Sequence, residues 1–472
     1  MSSRIVILGA GPAGMACAYE LSRNGRVATV LDRNPTVGGL ARTIEYKGFR
    51  FDLGPHRFLT KNKEVDDLWH ELVGEQYVEV PRLTRIYYRN KFFHYPLRPF
   101  NALFGLGLFT TARAVVSFLT AHVRSTRAEA DTFEDWVVQR FGRRLYEIFF
   151  KTYTEKVWGI PCSQLSAEWA GQRIKGLDLW EAVRNAFFGQ RGNRSVKTLA
   201  DKFHYAARGA GQVYEIMSDR LVKAGTVVRN NFEVHRIQRE GARLTRIHGV
   251  HNDQEVAVDA DYVFSSIPLT EFVRILDPPA PVEIREAAQK LFYRDHITVN
   301  LILDRPSLFS DNWIYVHSPD VRMARLTDYG NFSREMLADH ARAAVSVEYF
   351  CFAHEPIWLM EDADLIRLAK DELVQTGLCD PNDVIDGFVV RERDSYPTYY
   401  VGHREHFDKL KAYAMTLENA QLIGRGGMYK YNNQDHSILT GLLAARNLLG
   451  GTCELWNINT DQEYLEEIRQ TD

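Results

Sequence analysis

The sequence predicts an α/β protein, and three observations carry that reading. The apolar run Ile5-Val6-Ile7-Leu8 leads straight into glycines at 9, 11 and 14, the order of a buried parallel strand turning into a helix. Residues 100–200 are mostly helical in pattern. Residues 285–400 carry long alternating strands, such as Ile297 to Leu303. Together these predict a Rossmann-type domain with a helical insertion and an antiparallel-sheet domain.

The first unit is justified residue by residue. Gly9 gives the tight turn, Gly11 lets the backbone approach a pyrophosphate, and Gly14 lets the helix pack closely on the strand. Pro12 suits a first helical turn, and Gly25 closes the helix about three turns later. The helix start offers free N–H groups and a positive dipole end to phosphate. A second strand, Val27 to Leu31, ends in Asp32, 18 residues beyond Gly14 and placed to accept from a ribose hydroxyl. Gly38 and Gly39 then let the chain pass close to a cofactor, and Arg42 can neutralise phosphate charge. Strand, glycines, helix and acid in this order predict a dinucleotide site.

Length and composition bound the rest. A chain of 472 residues suggests two or three domains. Lys plus Arg (58) against Asp plus Glu (61) leaves −3, which signals no nucleic-acid partner. The five cysteines (17, 162, 351, 379, 453) form no CxxC pair, which argues for a reducing compartment, expected to be cytoplasmic, and against disulfides or a metal site. The chain enters its first strand at once, so no signal peptide is expected. Residues 103–123 are strongly apolar, yet Arg113 near their middle would be costly in lipid. They are read as a helix and not a span, with peripheral membrane contact left open.

In chain order, residues 62 to 72 read as a helix and Arg85 to Tyr95 as a strand. Phe133 to Phe141 and Arg144 to Tyr153 are helical. Gln212 opens a helix, and short strands follow at Thr226 to Arg229, Val234 to Gln238, Leu244 to Val250 and Ala260 to Ser265. Leu422 to Gly424 reads as a buried strand and Gly441 to Leu449 lies on a terminal helix. The expected division is a cofactor domain in three pieces (1–95, 201–284, 401–472), a helical domain (96–200) and a substrate sheet (285–400).

Four separated motifs carry a family resemblance. They are Gly54-Pro55-His56-Arg57-Phe58; Lys156 to Pro161 with Trp169 to Arg173; Trp313-Ile314-Tyr315 with Ala324 to Thr327; and Gly424 to Ser437. Together they resemble the UDP-galactopyranose mutases, especially the eukaryotic-type branch, within the wider amine oxidase and protoporphyrinogen oxidase flavoproteins. The resemblance implies FAD, active when reduced, whose N5 attacks the anomeric carbon of a nucleotide sugar. The sugar then opens and recloses with the other ring size, with no net redox change. An external reductant, NAD(P)H or a reductase, is implied, and the oligomeric state is left open.

The same resemblance implies the site residues. Arg173 and Arg325 match diphosphate-binding arginines, since a planar fork suits paired phosphate oxygens; surface or packing ion pairs are the alternative. Tyr396 and Tyr431 match phosphate-contacting tyrosines, and Asn433 can reach the diphosphate, the sugar or the cofactor. Trp158, Trp313 and Tyr315 are expected in the substrate cleft, with core packing as the alternative. His56 is read as part of a redox-responsive loop and not as an acid or base. Arg33, Leu40, Val234, Gly424, Arg425, Gln434, Asp435 and Ser437 complete the cofactor set, although Asp435 and Ser437 also suit helix capping. Tyr95 matches a uracil-contacting segment, but Arg98 replaces its glutamine, and Leu59 replaces an aromatic after the histidine. Base and sugar therefore stay open. An FAD oxidoreductase of the amine oxidase or protoporphyrinogen oxidase type is the alternative activity.

Overall fold

The computed structural model describes residues 3–95, 101, 105–124, 130–169, 197–199, 201–459 and 467–469. A five-stranded parallel sheet runs, in spatial order, Val227–Arg229, Ala28–Leu31, Ile5–Leu8, Tyr262–Ser265 and Ala420–Leu422. Ile5–Leu8 is buried along its whole length because both sheet faces are covered. On one face pack the helices Pro12–Arg23, Gln212–Lys223 and Gln434–Leu448, and the other face carries Phe232, Ile237, Ile247 and Phe272. A Cβ at Gly14 would fall 1.9 Å from the Gly9 carbonyl oxygen, so the close strand–helix packing expected of this glycine is what the chain builds.

The second sheet has seven strands in the order Val384–Pro397, Tyr293–Leu303, Ala343–Cys351, Arg325–Asp328, Trp313–Val316, Thr84–Tyr88 and Lys91–His94. Its neighbours pair antiparallel except Trp313–Val316 with Thr84–Tyr88, which run parallel. Two expectations change here. The single strand Arg85 to Tyr95 is a hairpin, broken at Arg89 and Asn90, both with positive φ. That hairpin also joins the seven-stranded sheet, although the sequence placed it at the end of the first cofactor segment. Local alternation reveals a strand but not its partner. Leu108–Arg124, Phe133–Phe141 and Thr152–Trp158 form a helical layer with a π-helical stretch at Tyr146–Lys151, and it packs on the seven-stranded sheet through Ala324, Phe350 and Tyr396. Leu108–Arg124 exposes Phe109, Val116 and Leu119, and no helix among the described residues is long and apolar enough to cross a membrane.

Where the sheets meet, Asp52 is fully buried and ends the strand Phe49–Asp52 just before the Gly54–His56 loop. Its carboxyl accepts from Thr43 Oγ1 at 2.6 Å, Tyr205 Oη at 2.5 Å and the Ala210 N–H at 3.2 Å. Burial pushes its pKa up from 3.8 to about 7 despite these bonds. The folded state therefore holds this proton where the unfolded chain has lost it. That contribution is complete below pH 3.8 and is lost as pH rises through about 7. Asp52→Asn is expected to flatten the stability profile across that window, measured by denaturant melts at several pH values.

Candidate functional site

A cavity of about 630 Å3 lies between the two sheets and the helical layer. Its cofactor half is lined by Gly9, Gly11, Asp32, Arg33, Gly39, Leu40, Val234, Gly424, Asn433, Gln434, Asp435 and Ser437. The two glycine loops press together there: Gly39 has φ +54°, and a Cβ on it would lie 2.9 Å from Gly11 Cα. The Asp32 carboxylate fastens this cradle, with Oδ2 accepting from the Ala10 N–H at 2.6 Å and Oδ1 from the Asn34 N–H at 2.7 Å. Asn34 Nδ2 also donates to Oδ1 at 3.0 Å, so it is Oδ2 that retains a lone pair for a ligand hydroxyl. Asp32→Ala is expected to weaken cofactor retention, read as cofactor-to-protein ratio after gel filtration.

The start of Gln434–Leu448 closes this half. Asn433 is its N-cap, and the Asn433 N–H donates to His436 Nδ1 at 3.4 Å. Asp435 and Ser437 therefore do not cap the helix; they lie in its first turn, facing the cavity. Asp435 Oδ1 is buried with no hydrogen-bond donor among the described residues. The glycine cradle, a helix N-terminus and a buried spare acceptor are the features a dinucleotide with a donor-bearing ring would satisfy.

The second half brings together Pro55 to Leu59, Tyr95, Phe149, Phe150, Tyr153, Trp158, Tyr315, Arg325, Phe350, Tyr396, Arg425 and Tyr431. Arg325 is held bidentate by Glu348, with Nε 2.6 Å from Oε1. Glu348 is fully buried on the strand Ala343–Cys351. Gly54, at φ +115°, makes room for this pair: a Cβ there would sit 2.9 Å from Arg325 Nη2. The rings of Tyr396 and Tyr431 stack at 5.4 Å, with the Arg425 guanidinium about equally near both, 5.1 and 5.0 Å. Arg425 donates to the Asn432 and Ser395 carbonyls, and no carboxylate pairs with it among the described residues. Its positive charge is thus available to a bound anion. The His56 ring is kept neutral, its pKa driven well down by burial and by Arg425 and Arg325.

Several expected positions lie elsewhere. Trp313 is fully buried and outside the cavity lining, packed on Phe203 and Phe332 with the Arg57 guanidinium 4.9 Å from its ring. It backs the cleft wall that Tyr315 lines. Arg42 is buried in an ion pair with Glu392, donates to the Gly39 carbonyl at 2.9 Å and does not line the cavity, whereas Arg325, also paired, does. Gly14 and Gly38 shape the loops without lining the cavity. Gly424 and Arg425 lie on a single helical turn, Gly424–Gly427, and not on a strand. Arg98 and Arg173 fall outside the described residues.

Sequence reading missed Glu348, Arg57, Tyr153 and His317 at the site. Arg57 falls inside the Gly54 to Phe58 motif, and Glu348 had a signal of its own, a lone acid inside the apolar run Ala343 to Cys351, where an unpaired charge would be prohibitive.

Fold and cavity define an α/β protein whose glycine-lined cradle runs into a second cleft lined by arginine and aromatic side chains. The family model for flavin containing amine oxidoreductases matches residues 12–449, and the chain belongs to that family, whose cofactor is a flavin. A "Probable UDP-galactopyranose mutase" of Klebsiella pneumoniae is 32% identical over 177 residues, 35% of this chain and 44% of that protein. A phytoene dehydrogenase of Streptomyces griseus is 24% identical over 308 residues, 60% of this chain and 58% of that one. The chain thus spans about half the length of these curated relatives. Among solved structures, a reduced UDP-galactopyranose mutase matches over 98% of both chains, with TM-score 0.84 and 23% identity. A redesigned putrescine oxidase matches 95% of this chain and 99% of its own, with TM-score 0.64 and 15% identity. At these identities the structural matches speak for the fold.

Proposed function

We propose that the protein is a nucleotide-sugar mutase of the UDP-galactopyranose mutase type, interconverting pyranose and furanose rings with reduced FAD. The observation that carries this reading is the continuity of the cavity. The glycine cradle for a dinucleotide opens directly onto a cleft walled by Arg325, Arg425, Tyr396 and Tyr431. An amine or polyene substrate has no use for two guanidinium groups and two phenols, whereas a diphosphate matches them.

When bound, reduced FAD supplies the electron pair that attacks the anomeric carbon and is later returned. The chain's own residues handle the anion this releases. Arg325, fixed by Glu348, and Arg425, framed by the tyrosine pair, hold the departing diphosphate close enough to recombine. Arg173 is proposed as a third contact. Trp158, buried beside Tyr431, keeps water from the anomeric centre. His56 contributes a shaped loop and a neutral ring, so no general acid–base step is assigned to it. Electrons come from an external reductant, NAD(P)H or a reductase.

The test is turnover of a panel of nucleotide hexoses with and without dithionite. The mutase reading expects activity only after reduction, with a product of unchanged mass and a different ring size. The amine oxidoreductase family favours a second reading, an oxidase. That reading expects the oxidised flavin to bleach on substrate addition and a product two hydrogens lighter.

A further inference from the structure

Away from the cavity, the helix Leu108–Arg124 carries apolar side chains on two sides. One side is used inside the protein, where Ala114 and Phe118 are buried. Gly142, just after Phe133–Phe141, lets the two segments close together: a Cβ there would lie 2.7 Å from the Ser117 backbone. The Arg144 N–H donates to Ser117 Oγ at 3.1 Å and fixes that contact. The other side is left to solvent. Phe109 is 77% exposed, Val116 60%, Leu119 48% and Val115 45%. At 3.6 residues per turn these four fall within roughly a third of the helix circumference. Among the described residues, no other helix exposes more than one large apolar side chain.

The charge around this face has one sign. Residues 80–128 contain no Asp or Glu and eight Lys or Arg, in a chain whose acids outnumber its bases 61 to 58. Arg113 is exposed at the edge of the apolar stripe, its guanidinium 5.8 Å from the Phe109 ring. Arg89 and Lys91 are exposed on the hairpin, and Lys91 Nζ donates to the Gly105 carbonyl at 2.8 Å, just before the helix. Among the described residues no carboxylate pairs with these three, whereas Arg85 of the same segment is taken up by Asp311. On the inner flank Arg143 and Arg144 pair with Glu134 and Glu147, so they add no net charge.

An apolar stripe edged by cations is the pattern of a helix lying in a bilayer interface. Its apolar side chains enter the acyl boundary, and its long basic ones reach back to the headgroups. We propose that Leu108–Arg124 seats the protein on an anionic membrane surface, lying in the interface and not crossing it. A second copy of the chain fits this face worse, because cations without acids, meeting themselves across a two-fold axis, gather like charges. The proposal is independent of the reaction assigned above, since Phe109, Arg113, Val115, Val116 and Leu119 do not line the cavity.

The test is flotation of the flavin-loaded full chain with vesicles of phosphatidylcholine alone, or of phosphatidylcholine and phosphatidylglycerol in equal parts. Binding is expected to be at least about tenfold tighter to the anionic vesicles and to weaken as salt is raised. Arg113→Ala should weaken it about fivefold, the scale of one cation at a charged surface. Val116→Glu combined with Leu119→Glu puts two acids into the stripe and should lower binding at least about tenfold. Flavin content and melting point should hold in that variant, because both side chains are already exposed. Equal recovery with the two vesicle types, or none with either, overturns the proposal. So does a double variant that floats as well as the parent protein. A dimer seen by light scattering that the double variant breaks, with no flotation, assigns the face to a second copy instead.

Discussion

Arg325→Ala is expected to lower turnover at least about a hundredfold, the scale on which removing one charged stabilising group acts in a closed site. Flavin content should be unchanged, because Arg325 sits in the substrate half of the cavity. The same substitution strands Glu348, which is fully buried and whose carboxylate is held by that guanidinium. Breaking a buried pair from one side costs about 3–5 kcal/mol, so a lowered melting point should accompany the lost activity. The double variant Arg325→Ala with Glu348→Ala separates the two effects. Stability should return in part, because no orphaned charge remains, while turnover should not. Full activity in the double variant would remove Arg325 from the anion site.

Gly39→Val is expected to have the second large effect, this time on the cofactor. The backbone at φ +54° disfavours a β-branched side chain, and even its Cβ would lie 2.9 Å from Gly11 Cα. Nothing there can yield except the opposing loop, which is itself pinned through Asp32 and Ala10. Flavin occupancy should fall below about a tenth, by absorbance ratio, with far-ultraviolet circular dichroism retained. A fully loaded Gly39→Val protein would show that the cradle between the glycine loops is not where the dinucleotide rests.

These two residues also mark what the sequence discloses and what it withholds. Gly9, Gly11, Gly14, Asp32 and Gly39 were legible because their chemistry is local. A strand, a turn and a helix start within about 40 residues already constrain where a pyrophosphate can go. The partners of charged groups were not legible. Arg42 looks free in sequence, yet Glu392 lies 350 residues away and closes on it. Arg325 looks like a bare phosphate ligand, yet Glu348 holds it in place. Trp313 and Tyr315, two residues apart on one strand, point to the same face; what buries one and leaves the other lining the cavity is the packing of Phe203 and Phe332, contributed from distant segments. The hairpin Thr84–Tyr88 and Lys91–His94 makes the same point for the fold, because its alternation is local and its pairing with Trp313–Val316 is not.

On the mutase reading, the sugar's anomeric carbon–oxygen bond breaks while the diphosphate stays held beside it. Positional isotope exchange measures this directly, using UDP-galactopyranose with oxygen-18 in the bridge between the sugar and the β-phosphorus. With reduced enzyme the label should move into the non-bridging β-phosphate oxygens, and oxidised enzyme should leave it in place. A reduced enzyme that forms the furanose while the label never leaves the bridge would contradict the account.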